Sequence, residues 1–326
     1  MDFVMIWVDG NDPEWQKEYL KYSEKVEGDK RVVRFRDWGT LKYWFRGVDK
    51  FAPWVDKVHF VTFGHYPEWL NLNHPKLNFV KRSDYIPAEF LLTFNSHTIE
   101  LNLHRIKGLS EEFVYFNDDT FIIAPLEPTR FFRKGLPRDI AVLNAISPQG
   151  GIMHIHCNNT KFVNDHYEKS EVLKKNFTKW FNPKYGSWLI RTLGLLFYKS
   201  FTGILDPHMP NAYQKSIFER VWSENQELLE NTCKCRFRCD SNINQYVMRY
   251  TQLADGAFDP INPFRTSFCN TGISGMALEA YLDVIRTQSK QMICINDDEI
   301  ENFDEVKEKT LDAFESILCE KSTFEL

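Results

Sequence analysis

The stretch Phe113-Val114-Tyr115-Phe116-Asn117-Asp118-Asp119 (FVYFNDD) is a run of four apolar residues broken by two adjacent carboxylates. A short apolar run that ends in turn residues reads as a fully buried strand. Asp118 and Asp119 therefore stand at a strand's carboxyl end. Working outward, the same pattern recurs. Phe3 to Val8 (FVMIWV) ends in Asp9-Gly10, Val58 to Phe63 (VHFVTF) is closed by Gly64, and Leu77 to Val80 is a third candidate strand. Gln291 to Ile295 (QMICI) is followed by a second Asn-Asp-Asp, residues 296–298. Thr120 to Ala124 continues extended, and Ile140 to Ile146 reads as another strand. Helical patterns lie between. One starts near Pro13, since proline suits a first helical turn. Another spans Leu41 to Phe51 and stops before Pro53. A third is capped by Asn95 or Ser96 and ends at Gly108. This alternation predicts an α/β fold, with a mostly parallel sheet and flanking helices. Ligands of such sheets bind beyond the strands' carboxyl ends.

The chain has 326 residues, 43% apolar and 26% charged, which fits a folded globule and excludes a disordered or fibrous one. Its net charge of −5 argues against a nucleic-acid partner. It has no run of about 18 apolar residues for a membrane span and no basic n-region for a signal peptide, so a cytoplasmic location is expected. Seven cysteines, an odd number, cannot close a full disulfide framework. Cys233, Cys235 and Cys239 lack a standard zinc spacing and read as free thiols. Aromatic residues make up 15%. Most should be core, with some left to line a sugar or nucleoside site.

Residues 160–200 differ from the rest. Eight Lys and Arg residues, among them Lys174, Lys175, Arg191 and Lys199, interleave with Phe177, Trp180, Trp188 and Phe197. Trp188 to Tyr198 (WLIRTLGLLFY) is too short to span a bilayer. It reads as a buried helix rather than an interfacial one, because Arg191 interrupts the apolar run while the lysines flank it. Residues 212–230 and 242–253 read as helices, as does the spacing from Ile300 to Leu318.

Carboxylates at three strand ends, Asp9, Asp118 with Asp119, and Asp297 with Asp298, can converge on one crevice. Their adjacent hard oxygens suit Mg²⁺ or Mn²⁺ working with substrate phosphates. His97, Glu100 and His104, at i, i+3 and i+7, would share one helix face. If residues 154–157 are a strand, His154 and His156 share a face of it. His208 lies in a loop made rigid by two prolines, DPHMP. Arg236 and Arg238 alternate on an extended segment, so both would face a diphosphate. No Walker loop, GxGxxG, GxSxG or HExxH is present, so P-loop hydrolysis, dinucleotide redox chemistry and zinc proteolysis lack support.

Four blocks in order resemble the Stealth family, which includes bacterial capsular polysaccharide phosphotransferases and the catalytic subunit of the lysosomal-enzyme N-acetylglucosamine-1-phosphotransferase. They are DFVMIWVDGNDPEW; RFRDWGTLKYWFRGVDKFAPWVDKVHFVTFGHYPEWLN through TFNSHTIELNLHRIKGLSEEFVYFNDDTF; DPHMP to RFRCDSNINQYVMRY; and ICINDDE. One departure is Leu92, where the family pattern has proline. The resemblance implies a single catalytic domain over 1–326: a GT-A, Rossmann-like nucleotide-sugar-transferase core from 1–150 and 231–300, with a helical, basic-aromatic insertion at about 155–230. It implies transfer of a hexose-1-phosphate, such as N-acetylglucosamine-1-phosphate, from a nucleotide-diphosphate sugar to a glycan hydroxyl, releasing nucleoside monophosphate. The acceptor glycan would be lipid-linked and would bring the enzyme to the inner membrane face. By the same resemblance, Asp118 and Asp119 hold the metal with Asn296 and Asp297, and Asp119 is the base. His208 and Arg238 act on the phosphoryl group. Asp9, Gly10, Asn95, Ser96, Asn117 and Arg236 contact substrate. A metal-dependent glycosyltransferase and a non-catalytic glycan binder are the competing readings.

Overall fold

The structure is a computed structural model that describes residues 1–23, 36–147, 153–269, 276–295, 300 and 302–326. Its described strands are β1 (Asp2–Ile6), β2 (Val58–Thr62), β3 (Leu77–Lys81), β4 (Glu112–Phe116), β5 (Thr120–Ile122), β6 (Phe132–Arg133), β7 (Leu136–Asp139), β8 (Asn211–Gln214), β9 (Asp259–Pro260), β10 (Ser267–Cys269) and β11 (Met292–Cys294). The main sheet has the order β3-β2-β1-β4-β8. Its first four strands are parallel, and β8 runs antiparallel to β4. A second sheet, β10-β11-β5, pairs β11 antiparallel to β5. A third, β6-β7-β9, is small.

Side chains of a strand alternate between two faces, and here both faces are covered, as parallel sheets require. Phe3 and Met5 of β1, Phe60 of β2, and Val114 and Phe116 of β4 enter one core. Val4, Val61, Phe113 and Tyr115 enter the other. That double burial is why β1 and β4 read as unbroken apolar runs. The Leu41–Phe51 helix packs in the first core. Buried Arg46 on that helix donates to both carboxylate oxygens of Glu325 at 2.8 and 2.9 Å and to the Leu318 carbonyl at 2.8 Å. It thereby fastens the C-terminal segment to the helix.

Four expectations change. Residues 211–214 form strand β8 before helices Lys215–Glu224 and Gln226–Cys233. The tetrapeptide NAYQ has no strand pattern of its own, and pairing with β4 imposes the conformation. Ile140 to Ile146 is buried at its start, but among the described residues it makes a single isolated bridge, Leu143 to Ile204, and joins none of the three sheets. Residues 154–157 lie in helix Met153–His166, not in a strand. Two residues apart on a helix point in different directions, so His154 approaches Asp240 (3.7 Å) while His156 faces the central cavity. Finally, helix Leu189–Gly194 is not a core helix, since Ile190, Leu193, Leu196, Phe197 and Tyr198 are exposed.

Two predictions test this architecture. A Cβ on Gly47 would sit 2.4 Å from the Ile122 carbonyl oxygen of β5. Helix propensity favours alanine over glycine by about 1 kcal/mol, but the clashing atom is backbone and cannot swing away. Gly47→Ala is therefore expected to destabilise by about 1–3 kcal/mol in denaturant titration. The second concerns pH. Asp2 is buried and accepts from His59 Nε2 (3.0 Å) and the Ser110 amide (2.8 Å). Burial alone would raise its pKa, but these hydrogen bonds and the His59 charge lower it below the ordinary 3.8. The folded state thus binds this proton less readily than the unfolded state. The stabilisation is complete above pH 3.8 and is lost as pH falls through the lower folded value. The stability advantage of wild type over Asp2→Asn should be flat near neutrality and shrink in acid.

Candidate active site

The first sheet ends at Phe116, and the chain turns through Asn117 to Asp119 before entering β5. Both the amide and the hydroxyl of Thr120 donate to the Asn117 carbonyl (3.2 and 2.8 Å), which makes the turn tight. The Tyr115 hydroxyl donates to Asn117 Oδ1 at 2.7 Å. From the other side, the Ile295 amide at the end of β11 donates to the Asp119 carbonyl at 2.8 Å. The two carboxylates are therefore displayed where the ends of two sheets meet.

They open into a cavity of about 420 Å³, within the range of small-ligand sites. Asn117, Asp118, Asp119, His208, Arg238 and Ser96 all line it, together with His97 and Glu100. Trp7, Val8, Trp15 and Trp38 also line it, so some of the aromatic excess lies at the site.

His208 Nε2 lies 3.3 Å from Asp119 Oδ2. Its backbone has φ 46°, a left-handed conformation that costs energy in a residue with a Cβ. Asp206 holds it there: Asp206 Oδ1 accepts from the His208 amide at 2.8 Å and from the Tyr246 hydroxyl at 2.7 Å. Burial opposes a charge on His208. The hydrogen bond and charge of Asp119, then the charges of Asp206 and Cys269, outweigh it and raise its pKa to about 10. Burial also works against the Asp206 charge, but His208, Arg249 and His156 hold its pKa below the usual range. Arg249 is itself buried in a two-pronged pair with Asp139 at 2.7 and 2.9 Å.

Arg238 donates to Ser96 Oγ at 2.6 Å, and its buried Nε has no hydrogen-bond partner among the described residues. A guanidinium edge left unpaired beside a cavity is available to an anion. Arg236 behaves differently. The chain bends at 236–237, and Phe237 packs against Phe94 and Tyr19. Arg236 instead donates to the Leu92 carbonyl (2.8 Å) and lies over the Tyr22 ring, away from the cavity. Asn95 is fully buried. It caps helix Ser96–Leu101 through the His97 amide (3.1 Å), and its amide group donates to the Cys235 carbonyl and Asn242. It supports Ser96 and does not line the cavity. Asp9 and Gly10 form a turn next to Val8, also outside the lining. The Asp9 amide donates to His65 Nε2 (2.8 Å), and the Gly10 carbonyl accepts from Gln16 (2.8 Å).

His104 leaves the face that His97 and Glu100 share, because the helix gives way after Leu101 to a tighter 3₁₀ turn. It packs against Phe218 and Trp222, and burial lowers its pKa to about 3. Asn296, Asp297 and Asp298 lie outside the described residues. Cys233, Cys235 and Cys239 are free thiols.

Sequence reasoning did not single out Asp206, Arg82, Asn244, Gln245 or Cys294. Asp206 was readable, since an Asp two residues before the His208 amide is the pattern of an Asx turn. Cys294 was hidden in an apolar strand. It meets Asp119 and His208 only through the pairing of β11 with β5, and one ligand atom of each of the three lies within 4.8 Å of the others. This group could hold a metal ion. The fit rests on Asp119 Oδ1, which is buried without a hydrogen-bond partner among the described residues. The carboxylates of Asp118 and Asp119 are hard donors, while the Cys294 sulfur is soft.

A family model, Stealth protein CR2, conserved region 2, matches residues 34–139. The chain is 41% identical over its whole length to a capsular polysaccharide phosphotransferase, WcwK, of Streptococcus pneumoniae, covering 98% of that protein. It is 38% identical, again over its whole length and 96% of the relative, to the exopolysaccharide phosphotransferase cps2G of Lactiplantibacillus plantarum. Among solved structures, the galactosyltransferase LgtC aligns with a TM-score of 0.40 and 11% identity, over 97% of this chain and 96% of that one. With a full-length relative at this identity and a family-model match across the residues that build the carboxylate turn, the chain belongs to the Stealth protein family and is an enzyme of the transferase class.

Proposed function

We propose that the protein transfers a hexose-1-phosphate, such as N-acetylglucosamine-1-phosphate, from a nucleotide-diphosphate sugar to a hydroxyl of a glycan in capsular or cell-surface polysaccharide synthesis. The observation that carries this reading is the juxtaposition of Asp118, Asp119, His208 and Arg238 in one cavity. Phosphoryl transfer needs positioning and charge neutralisation more than covalent chemistry, and those four side chains supply both signs of charge. The names of the relatives point to the same reaction class.

In this scheme the acceptor oxygen bonds to the phosphorus next to the sugar. The bond from that phosphorus to the bridging oxygen breaks, and nucleoside monophosphate leaves with the electron pair. Asp119 takes the acceptor proton. His208, protonated at neutral pH, places a positive N–H against the transferring phosphoryl oxygens, and Arg238 holds the diphosphate. Ser96 and Asn117, which line the cavity, contact the donor. Asp118 and Asp119, with Asn296 and Asp297, would hold Mg²⁺ or Mn²⁺, which would neutralise diphosphate charge. The catalytic unit is the whole chain, its α/β core drawn from 1–150 and 231–300 and its helical insertion from about 155–230. The acceptor glycan is carried on a lipid.

The test is to identify the nucleotide released from a panel of nucleotide sugars with Mg²⁺ or Mn²⁺ and a short capsule-type glycan. Monophosphate release with hexose phosphate added to the glycan is expected; diphosphate release would move the enzyme to glycosyl transfer. Asp119→Asn and His208→Ala should each lower turnover by about 10²–10⁴-fold, and near wild-type rates in either would overturn the roles given. Asp206→Asn keeps the shape but removes the charge facing His208. It should lower kcat by about tenfold with KM little changed, since it acts through His208 and not on the donor.

A further inference from the structure

Among the described residues, ten large apolar side chains are exposed, and five of them fall between Ile190 and Tyr198. Ile190 is 70% exposed, Leu193 57% and Phe197 76%. Single exposed apolar residues are ordinary, but a contiguous group is not. This group is also not a frayed loop. Lys169, itself only 3% exposed, donates from Nζ to the Leu195 and Tyr198 carbonyls, both at 2.7 Å. Buried Thr192 accepts from the Leu143 amide at 3.1 Å. Arg191 donates to Asn144 at 2.8 Å. A buried cation and a buried hydroxyl thus anchor the backbone of this turn, and its apolar side chains still point outward.

The surroundings are basic. Residues 169–199 hold seven Lys and Arg against one acid, Glu171, in a chain of net charge −5. Lys174, Lys175, Lys184, Arg191 and Lys199 are exposed there, beside exposed Phe177. Exposed apolar side chains flanked in the sequence by exposed basic ones fit the boundary between headgroup and acyl chain in a bilayer that carries anionic lipid. A second copy of this chain is a poor occupant, because the basic flank would face its own copy.

We propose that the turn from Ile190 to Tyr198, with its basic flank, is a membrane-docking surface for anionic lipid. The segment runs on to Asp206 and His208 within ten residues, so the docking surface and the reacting groups share one continuous piece of chain. This inference does not depend on the reaction assigned above.

The experiment is cosedimentation of the intact protein with vesicles of phosphatidylcholine alone or mixed with phosphatidylglycerol, at low and high salt. Wild type should pellet with the mixed vesicles at low salt, and less at high salt. Leu193→Ser/Phe197→Ser should bind at least about tenfold more weakly. Its circular dichroism and its turnover with a soluble acceptor should be unchanged, since both side chains face out of the fold. No binding of wild type to the mixed vesicles would overturn the proposal, as would undiminished binding of the double variant. A dimer in sedimentation equilibrium that the double variant abolishes, without lipid binding, would assign the surface to a second copy instead.

Discussion

The arrangement of this molecule depends on one junction. The Ile295 amide donates to the Asp119 carbonyl, and β11 then runs antiparallel to β5. Through that junction the edge of the second sheet closes on the end of the first. Without it, Asp118 and Asp119 would be two residues on a surface turn. With it, one wall of the cavity is fixed by two sheets at once, and Cys294 and His208 come within reach of the same carboxylate. The helix carrying Gly47 presses on β5 from behind, close enough that no Cβ fits, so the strand leaving Asp119 has little room to shift. Such support suits a site whose work is positioning.

Strands β1 and β4 were legible because each is buried on both faces and so is apolar without interruption, as Phe3 to Met5 and Phe113 to Phe116 show. The carboxylate turn was legible because it follows such a strand at once. Other parts were written in contacts instead. Strand β8 exists by virtue of its partner. His104 was misplaced because the helix period changes one residue after Leu101. Arg236 and Arg238 parted company because Phe237 between them is drawn into an aromatic cluster with Trp15 and Phe94, which outweighs simple alternation. The turn at 190–198 was misjudged for a different reason. Its apolar composition argues for burial wherever burial is available, and what keeps it outside is the buried Lys169 beneath it.

Aromatic rings serve the fold in two ways. Phe3, Phe116 and Phe131 meet in edge and tilted contacts on one face of the main sheet. Phe113, Tyr213 and Phe218 do the same on the other. Such pairs add to the burial of apolar area and fix relative orientation. A smaller set, including Trp15 and Tyr246, lines the cavity.

The pairing of Thr120 with Cys294 and of Ile122 with Met292 spans about half of the chain, and Arg46 finds Glu325 nearly the whole chain away. Contacts between such distant residues cannot form until both partners exist, and closing long loops slows folding. During synthesis the first four strands can assemble early, because β1 to β4 lie within the first 116 residues. The carboxylates, however, wait in an open turn until residue 295 has left the ribosome. Catalytic competence is therefore acquired only once β11 has been made, and a nascent chain stalled before β11 would hold the first four strands of the sheet but no assembled site.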